Sequence, residues 1–203
     1  MNSSVQSIVE SGMPDTQYTS PPAVYRSGLL FPLDALHRRA GRSVPSATPL
    51  APEALPEPQR TLLVHDRDMT RTLEQFHRGT IHLELLSWHQ EDGAYWREVV
   101  LRMDGSEKPV EFGAIRITLE HFEEPWRSQI VEGHCPLGGI LNASGIGFRS
   151  SPEAYFSITS DPFVTGVLGL RGSPTLYGRR NRLRSAEGEL LAEIVEILPP
   201  PTL

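Results

Sequence analysis

A single cysteine, Cys135, excludes an internal disulfide framework and any cysteine-based zinc cluster. With no base obvious beside it, Cys135 reads as a small buried apolar residue rather than a nucleophile. No stretch of about eighteen apolar residues occurs, so no membrane-spanning helix is expected. Residues 1–25 show no apolar core behind a basic start, so no signal peptide is expected and the chain reads as cytoplasmic. The seven histidines form no helical pair or close cluster, which leaves metal catalysis without support and points to no metal. The glycines at 138–139 and 145–147 are too loosely spaced and misplaced for a phosphate loop. Positive charge is also short. With 19 basic against 25 acidic residues the net charge is −6, which argues against a nucleic-acid partner but permits a locally basic pocket for a small anion.

What is abundant is proline. Of the 18 prolines, Pro14, Pro21, Pro22, Pro32, Pro45, Pro49, Pro52, Pro56 and Pro58 fall in the first 60 residues. Such a segment cannot sustain long helices or central strands. Residues 1–60 therefore read as a proline-rich segment, with a mobile linker over 40–58 and a short docking helix around Leu29–Arg39. Residues 61–203 read as the catalytic domain, and no internal repeat is visible.

Within that domain the pattern tightens. Asp68 is placed to cap a helix over 69–77, with Met69, Leu73 and Phe76 on one stripe and Gly79 as its stop. Strands are expected over 80–89, 95–103 and 110–119, separated by turns at Asp92-Gly93 and Asp104-Gly105. A helix near 125–132, a turn or helix at 136–141, and strands near 154–159, 175–184 and 189–198 complete the pattern. Consecutive strands on short turns with helices inserted between them predict an α+β fold around a mainly antiparallel sheet.

Arg97 stands on the more apolar face of its strand, with Tyr95, Val99 and Leu101. A guanidinium there is costly unless an anion meets it, either a ligand or an internal carboxylate. Glu193 and Glu196 lie in a run that is apolar on both faces, where burial raises a carboxyl pKa as acid/base catalysts require. Three residues apart, they point to opposite faces, so at most one reaches a given pocket. A salt bridge to an arginine of the preceding strand is the other reading. The run Arg179-Arg180-Asn181-Arg182, with Arg184, is either a solvated face or, by alternation, in part turned inward.

Taken together, residues 62–70, Tyr95-Trp96-Arg97-Glu98-Val99-Val100-Leu101, Pro136-Leu137-Gly138, Leu176-Tyr177-Gly178-Arg179-Arg180-Asn181-Arg182-Leu183 and Leu190-Leu191-Ala192-Glu193 resemble the chorismate pyruvate-lyase family. The resemblance covers about residues 61–200. It implies a chorismate lyase-like fold, with a six-stranded mainly antiparallel sheet and helical flaps over an internal ligand cavity. It also implies a bacterial, cofactor-free enzyme that converts chorismate to 4-hydroxybenzoate and pyruvate. By position Arg97 resembles the arginine that grips the ring carboxylate, and Glu193 the glutamate that meets the 4-hydroxyl, with Glu196 open as the other register. The backbone at Met69 and Leu137 resembles the pair of contacts that closes the pocket. Arg179 or Arg180 would meet the second carboxylate. No cofactor and no obligate protein partner are expected. The alternatives are a related lyase on another chorismate-derived or aromatic acid, or a non-catalytic small-molecule-binding module of the same fold.

Overall fold

The computed structural model describes residues 28–201. Seven strands form one antiparallel sheet in the order β1-β5-β6-β7-β4-β3-β2. They are β1 (Ala47–Leu50), β2 (Ile81–Glu91), β3 (Ala94–Met103), β4 (Pro109–Thr118), β5 (Phe148–Thr159), β6 (Thr175–Ser185) and β7 (Leu190–Leu198). Six helices accompany them: α1 (Leu33–Arg39), α2 (Gln59–Leu63), α3 (Met69–His77), α4 (Trp126–Glu132), α5 (Leu137–Ser144) and α6 (Pro162–Val167). The α+β class and mainly antiparallel sheet follow the sequence expectation, with seven strands in place of six.

The seventh strand is β1, from the stretch expected to be a linker. It adds to the sheet edge with Thr48 opposite Ser157 and Leu50 opposite Tyr155. Pro49 is tolerated because an edge strand leaves one row of backbone groups outside the ladder. The same logic admits Pro152 into β5. There β1 covers only residues 155–158, and a register irregularity lies between Pro152 and Ala154. Pro14, Pro21 and Pro22 lie outside the described residues.

The two faces of the sheet are covered differently. On one, Leu33 and Leu36 of α1 and Val164 of α6 pack on Val100, Phe112, Ala114, Phe156, Val195 and Ile197. The buried His37 of α1 is held there through Nδ1 and the Ser43 carbonyl, 3.0 Å apart. On the other face α2 to α5 form the flaps. Their apolar residues Leu63, Met69, Leu73, Ile130, Leu137 and Ile140 build two further clusters with the sheet.

The flap helices begin and end for local reasons. Asp68 caps α3 by accepting from the Arg71 amide at 3.0 Å. The left-handed residue that ends α3 is Arg78 (φ 57°), not the expected Gly79. Gly79 has another role, since a Cβ there would stand 2.7 Å from the Met103 methyl. Pro136 precedes α5, where a missing amide costs nothing, and Gly145 (φ 72°) closes it.

Gly178 is the tightest point of the sheet. A Cβ there would lie 2.5 Å from the Glu196 carbonyl oxygen and 2.7 Å from the Phe156 ring. Gly178→Ala therefore should cost ~1–3 kcal/mol as overpacking. Urea denaturation, read as a lowered midpoint with unchanged slope, checks this.

Candidate functional site

Between the sheet and the flaps lies a cavity of about 90 Å³. One water needs roughly 10–15 Å³ on this measure, so the space admits several waters or one small organic molecule. Strand alternation supplies its floor: Arg97, Val99 and Leu101 from β3, Glu111, Gly113 and Ile115 from β4, Arg179, Asn181 and Leu183 from β6, and Ile194 and Glu196 from β7. Met69 and Thr70 of α3 and Leu137 and Gly138 of α5 roof it. A wider polar cleft of about 530 Å³ shares Arg67, Asp68, Phe148 and Ser150 with the cavity and adjoins it as a mouth.

Asp68 joins the two flaps at that mouth. It caps α3, and its Oδ2 stands 3.5 Å from the Asn142 amide nitrogen of α5. A Cβ on Gly138 would come within 2.1 Å of the same oxygen, so only glycine permits this approach.

Arg97 is 2% exposed, and its Nη2 donates to the Cys135 carbonyl at 3.1 Å. Its Nε and Nη1 are buried without a hydrogen-bond partner among the described residues. Burial lowers its pKa to about 10, so the group stays charged near neutral pH. Cys135 itself is exposed, against the expectation of a buried residue. Its contribution here is a backbone carbonyl.

Arg179 is fully buried and has what Arg97 lacks. Its Nε and Nη2 donate to the two carboxylate oxygens of Glu196, directly opposite on β7. Its Nη1 donates to the carbonyls of Leu63 (3.0 Å) and His65 (2.8 Å) in the segment leading to α3. Burial works against its charge, but Glu196 first, with Glu111 and Tyr155 adding to it, more than compensates and the guanidinium pKa is raised.

The family-derived positions thus divide. Arg97, Met69, Leu137 and Arg179 line the cavity, and Glu193 and Arg180 do not. On β7 the cavity face carries Ile194 and Glu196, so Glu193 points to the opposite face. There it lies 3.2 Å from Arg182 and 3.8 Å from Arg180, while Glu153 is 3.2 Å from Arg180. The glutamate in the cavity is Glu196, already engaged by Arg179. Sequence reasoning missed Glu111, whose signal was the alternation Glu111-Gly113-Ile115 on one face of β4.

Comparison with solved structures recovers the same architecture. PhnF from Mycobacterium smegmatis is 12% identical over 67% of this chain and 65% of that one, with a TM-score of 0.54. The effector domain of PhnF from the same organism is 13% identical over 64% of this chain and 87% of that one, at 0.53. A GntR-family transcriptional regulator from Bacillus cereus is 10% identical over 61% and 94%, at 0.46. The match thus spans slightly under two thirds of the full-length PhnF chain. No family model and no curated protein matches the sequence.

The two PhnF structures share the α+β, chorismate lyase-like fold, and they correct the functional expectation. One is named as an effector domain, and neither is named as a lyase. The expectations of a chorismate pyruvate-lyase making 4-hydroxybenzoate, and of a protein without a nucleic-acid partner, are withdrawn. A physical reason accompanies the correction: the glutamate assigned to the reacting hydroxyl faces away from the cavity, and the one inside is bound by an arginine. Among the described residues no helix is long and apolar enough to cross a membrane.

Breaking a buried ion pair from one side leaves an uncompensated charge, typically a cost of ~3–5 kcal/mol. Glu196→Ala should therefore destabilise strongly. Glu193→Ala should cost clearly less, because Arg180 and Arg182 both keep Glu153. Parallel urea titrations decide it, and equal losses would contradict the division of the two faces.

Proposed function

We propose that this chain is a small-molecule-binding module whose cavity takes a small carboxylate with an apolar body, and that its output is occupancy rather than turnover. The observation that carries this is Arg97, a buried guanidinium lining the cavity with two nitrogens unmatched by any acceptor among the described residues. A charge in that position lowers stability unless an anion completes it. The walls favour a carboxylate with an apolar body, because Leu83, Val99, Leu101, Ile115, Leu183 and Ile194 line the same cavity.

The role parallels the effector domain named for the Mycobacterium smegmatis neighbour. A ligand entering through the Asp68 mouth would draw α3 and α5 together, and a partner would read the closed form. A role in regulating transcription would place nucleic acid among the partners of the whole protein. The unit proposed for binding is residues 61–203, with α1 and β1 packed on it from the preceding segment. Arg97 anchors the carboxylate, Met69 and Leu137 close over the ligand, and Arg179 holds the flap root. Glu193 and Arg180 act on the outer face of the sheet.

The test pairs affinity with stability. Wild-type protein should bind benzoate by calorimetry, and Arg97→Leu should lose at least ~30-fold in affinity, since truncating a buried charge partner costs ~2–5 kcal/mol. In the absence of ligand the same variant should be as stable as wild type or more so, because an unpaired buried charge is gone. Undiminished benzoate binding by Arg97→Leu would overturn the assignment.

A further inference from the structure

The strand floor of the cavity carries two carboxyl groups, and among the described residues only one of them is hydrogen-bonded to a cation. Glu196 is bound by Arg179. Glu111 lies two residues from Gly113, the cross-strand partner of Glu196, so the two carboxyls are diagonal neighbours on one face of the sheet. Glu111 is 5% exposed, lines the cavity, and has an Oε2 that is buried without a hydrogen-bond partner among the described residues. Arg97 stands opposite Ile115, four residues along β4 from Glu111. Gly113 keeps Glu111 open to the space: a Cβ there would meet its Oε1 at 3.5 Å and Val99 at 3.1 Å.

We propose that Glu111 holds a proton in the occupied site and donates it in a hydrogen bond to the ligand, so that an anion is taken up together with a proton. This rests on the reading of the cavity as an anion site. With Glu111 neutral, the cavity floor carries the charge of Arg97 plus a compensated Arg179–Glu196 pair, a net of one positive charge for a monoanion. With Glu111 ionised that charge is cancelled. The charged and titratable groups around it are Arg97 on β3, Arg179 on β6, Tyr155 on β5, Glu196 on β7, and Arg67 and Asp68 ahead of α3. Burial, then Glu196, then Asp68 push the Glu111 carboxyl well above the usual range, and Arg179 offsets part of this. An added anion pushes the same way.

The sign follows by linkage. Because the proton is bound more tightly with ligand present, affinity falls as pH rises through the Glu111 pKa of the free protein, approaching about tenfold per pH unit for one proton. The raised pKa acts on the fold in the same direction. Stability is full below the ordinary carboxylate range and is lost as pH rises through the folded-state value.

The experiment uses benzoate as the probe, at pH values where it is fully ionised. Calorimetry in two buffers of different ionisation enthalpy, repeated across pH, is compared for wild type and Glu111→Gln. Wild type should take up as much as one proton per benzoate and bind more weakly as pH rises. Well below the Arg97 pKa of about 10, where that anchor stays charged, Glu111→Gln should bind with no uptake and a flat pH profile, and should lose less stability toward alkaline pH. Carbon-13 NMR of the ligand-free protein gives an independent arm: one glutamate carboxyl should stay protonated where the others have ionised, and its signal should vanish in Glu111→Gln. Benzoate binding without proton uptake, or glutamate carboxyls all titrating in the ordinary range, overturns this proposal and leaves the anion site standing. If neither benzoate nor inorganic phosphate binds at any pH, the anion-site reading fails and this proposal fails with it.

Discussion

The Arg179–Glu196 pair is the constraint on which the site depends. A guanidinium with no solvent exposure must have its donors matched, and here two adjacent central strands and the approach to α3 all contribute acceptors. The pair therefore does two things. It fixes β6 against β7, and it sets where the chain leaves α2 to become the flap over the cavity. Gly178, the residue before Arg179, lets the Phe156 ring and the Glu196 carbonyl approach at the same point, so the sheet is most tightly packed beside its most polar group.

That arrangement decides what remains for a ligand. Arg179 and Glu196 neutralise each other, which leaves Arg97 as a buried cation on the cavity floor whose donors are unmatched among the described residues. The largely apolar lining lowers the local dielectric and so strengthens any anion contact Arg97 makes. Glu111 adds a second condition, since its charge state changes the net charge of the same small space. On the proposed reading, a cavity of about 90 Å³ holding these four groups would select on charge and proton content before it selects on shape.

The opposite face of the sheet is ordered by different physics. Glu193, Arg180, Arg182, Arg116 and Glu153 form a mixed-charge cluster at the partly exposed surface, where pairs are exchanged among several partners. Farther along the same face, α1 and α6 seal the apolar core. Arg179 and Arg180, adjacent in sequence, and Glu193 and Glu196, three apart, thus have unlike environments for one reason: a strand turns side chains an odd number of residues apart to opposite faces.

Much of the architecture was legible from the residues. Asp68 as a cap, the alternation in 81–103 and the glycine turns at 93 and 105 are local signals, and the helix over 69–77 and the β2–β3–β4 meander follow from them. The placement of Arg97 among Tyr95, Val99 and Leu101 was equally local, because β3 has one face distinctly more apolar than the other. The choice between Glu193 and Glu196 was not. The β7 run is apolar on both faces, so its pattern does not mark which face meets the flaps. That depends on the antiparallel register with β6, which sets Glu196 across from Arg179. The chain alone therefore specified the strands, the turns, the capped flap and a buried arginine. Only the tertiary structure decided which of two glutamates and two arginines enter the cavity, that Glu111 joins them, and that β1 extends the sheet, because face, register and edge position are properties of pairing between strands distant in sequence.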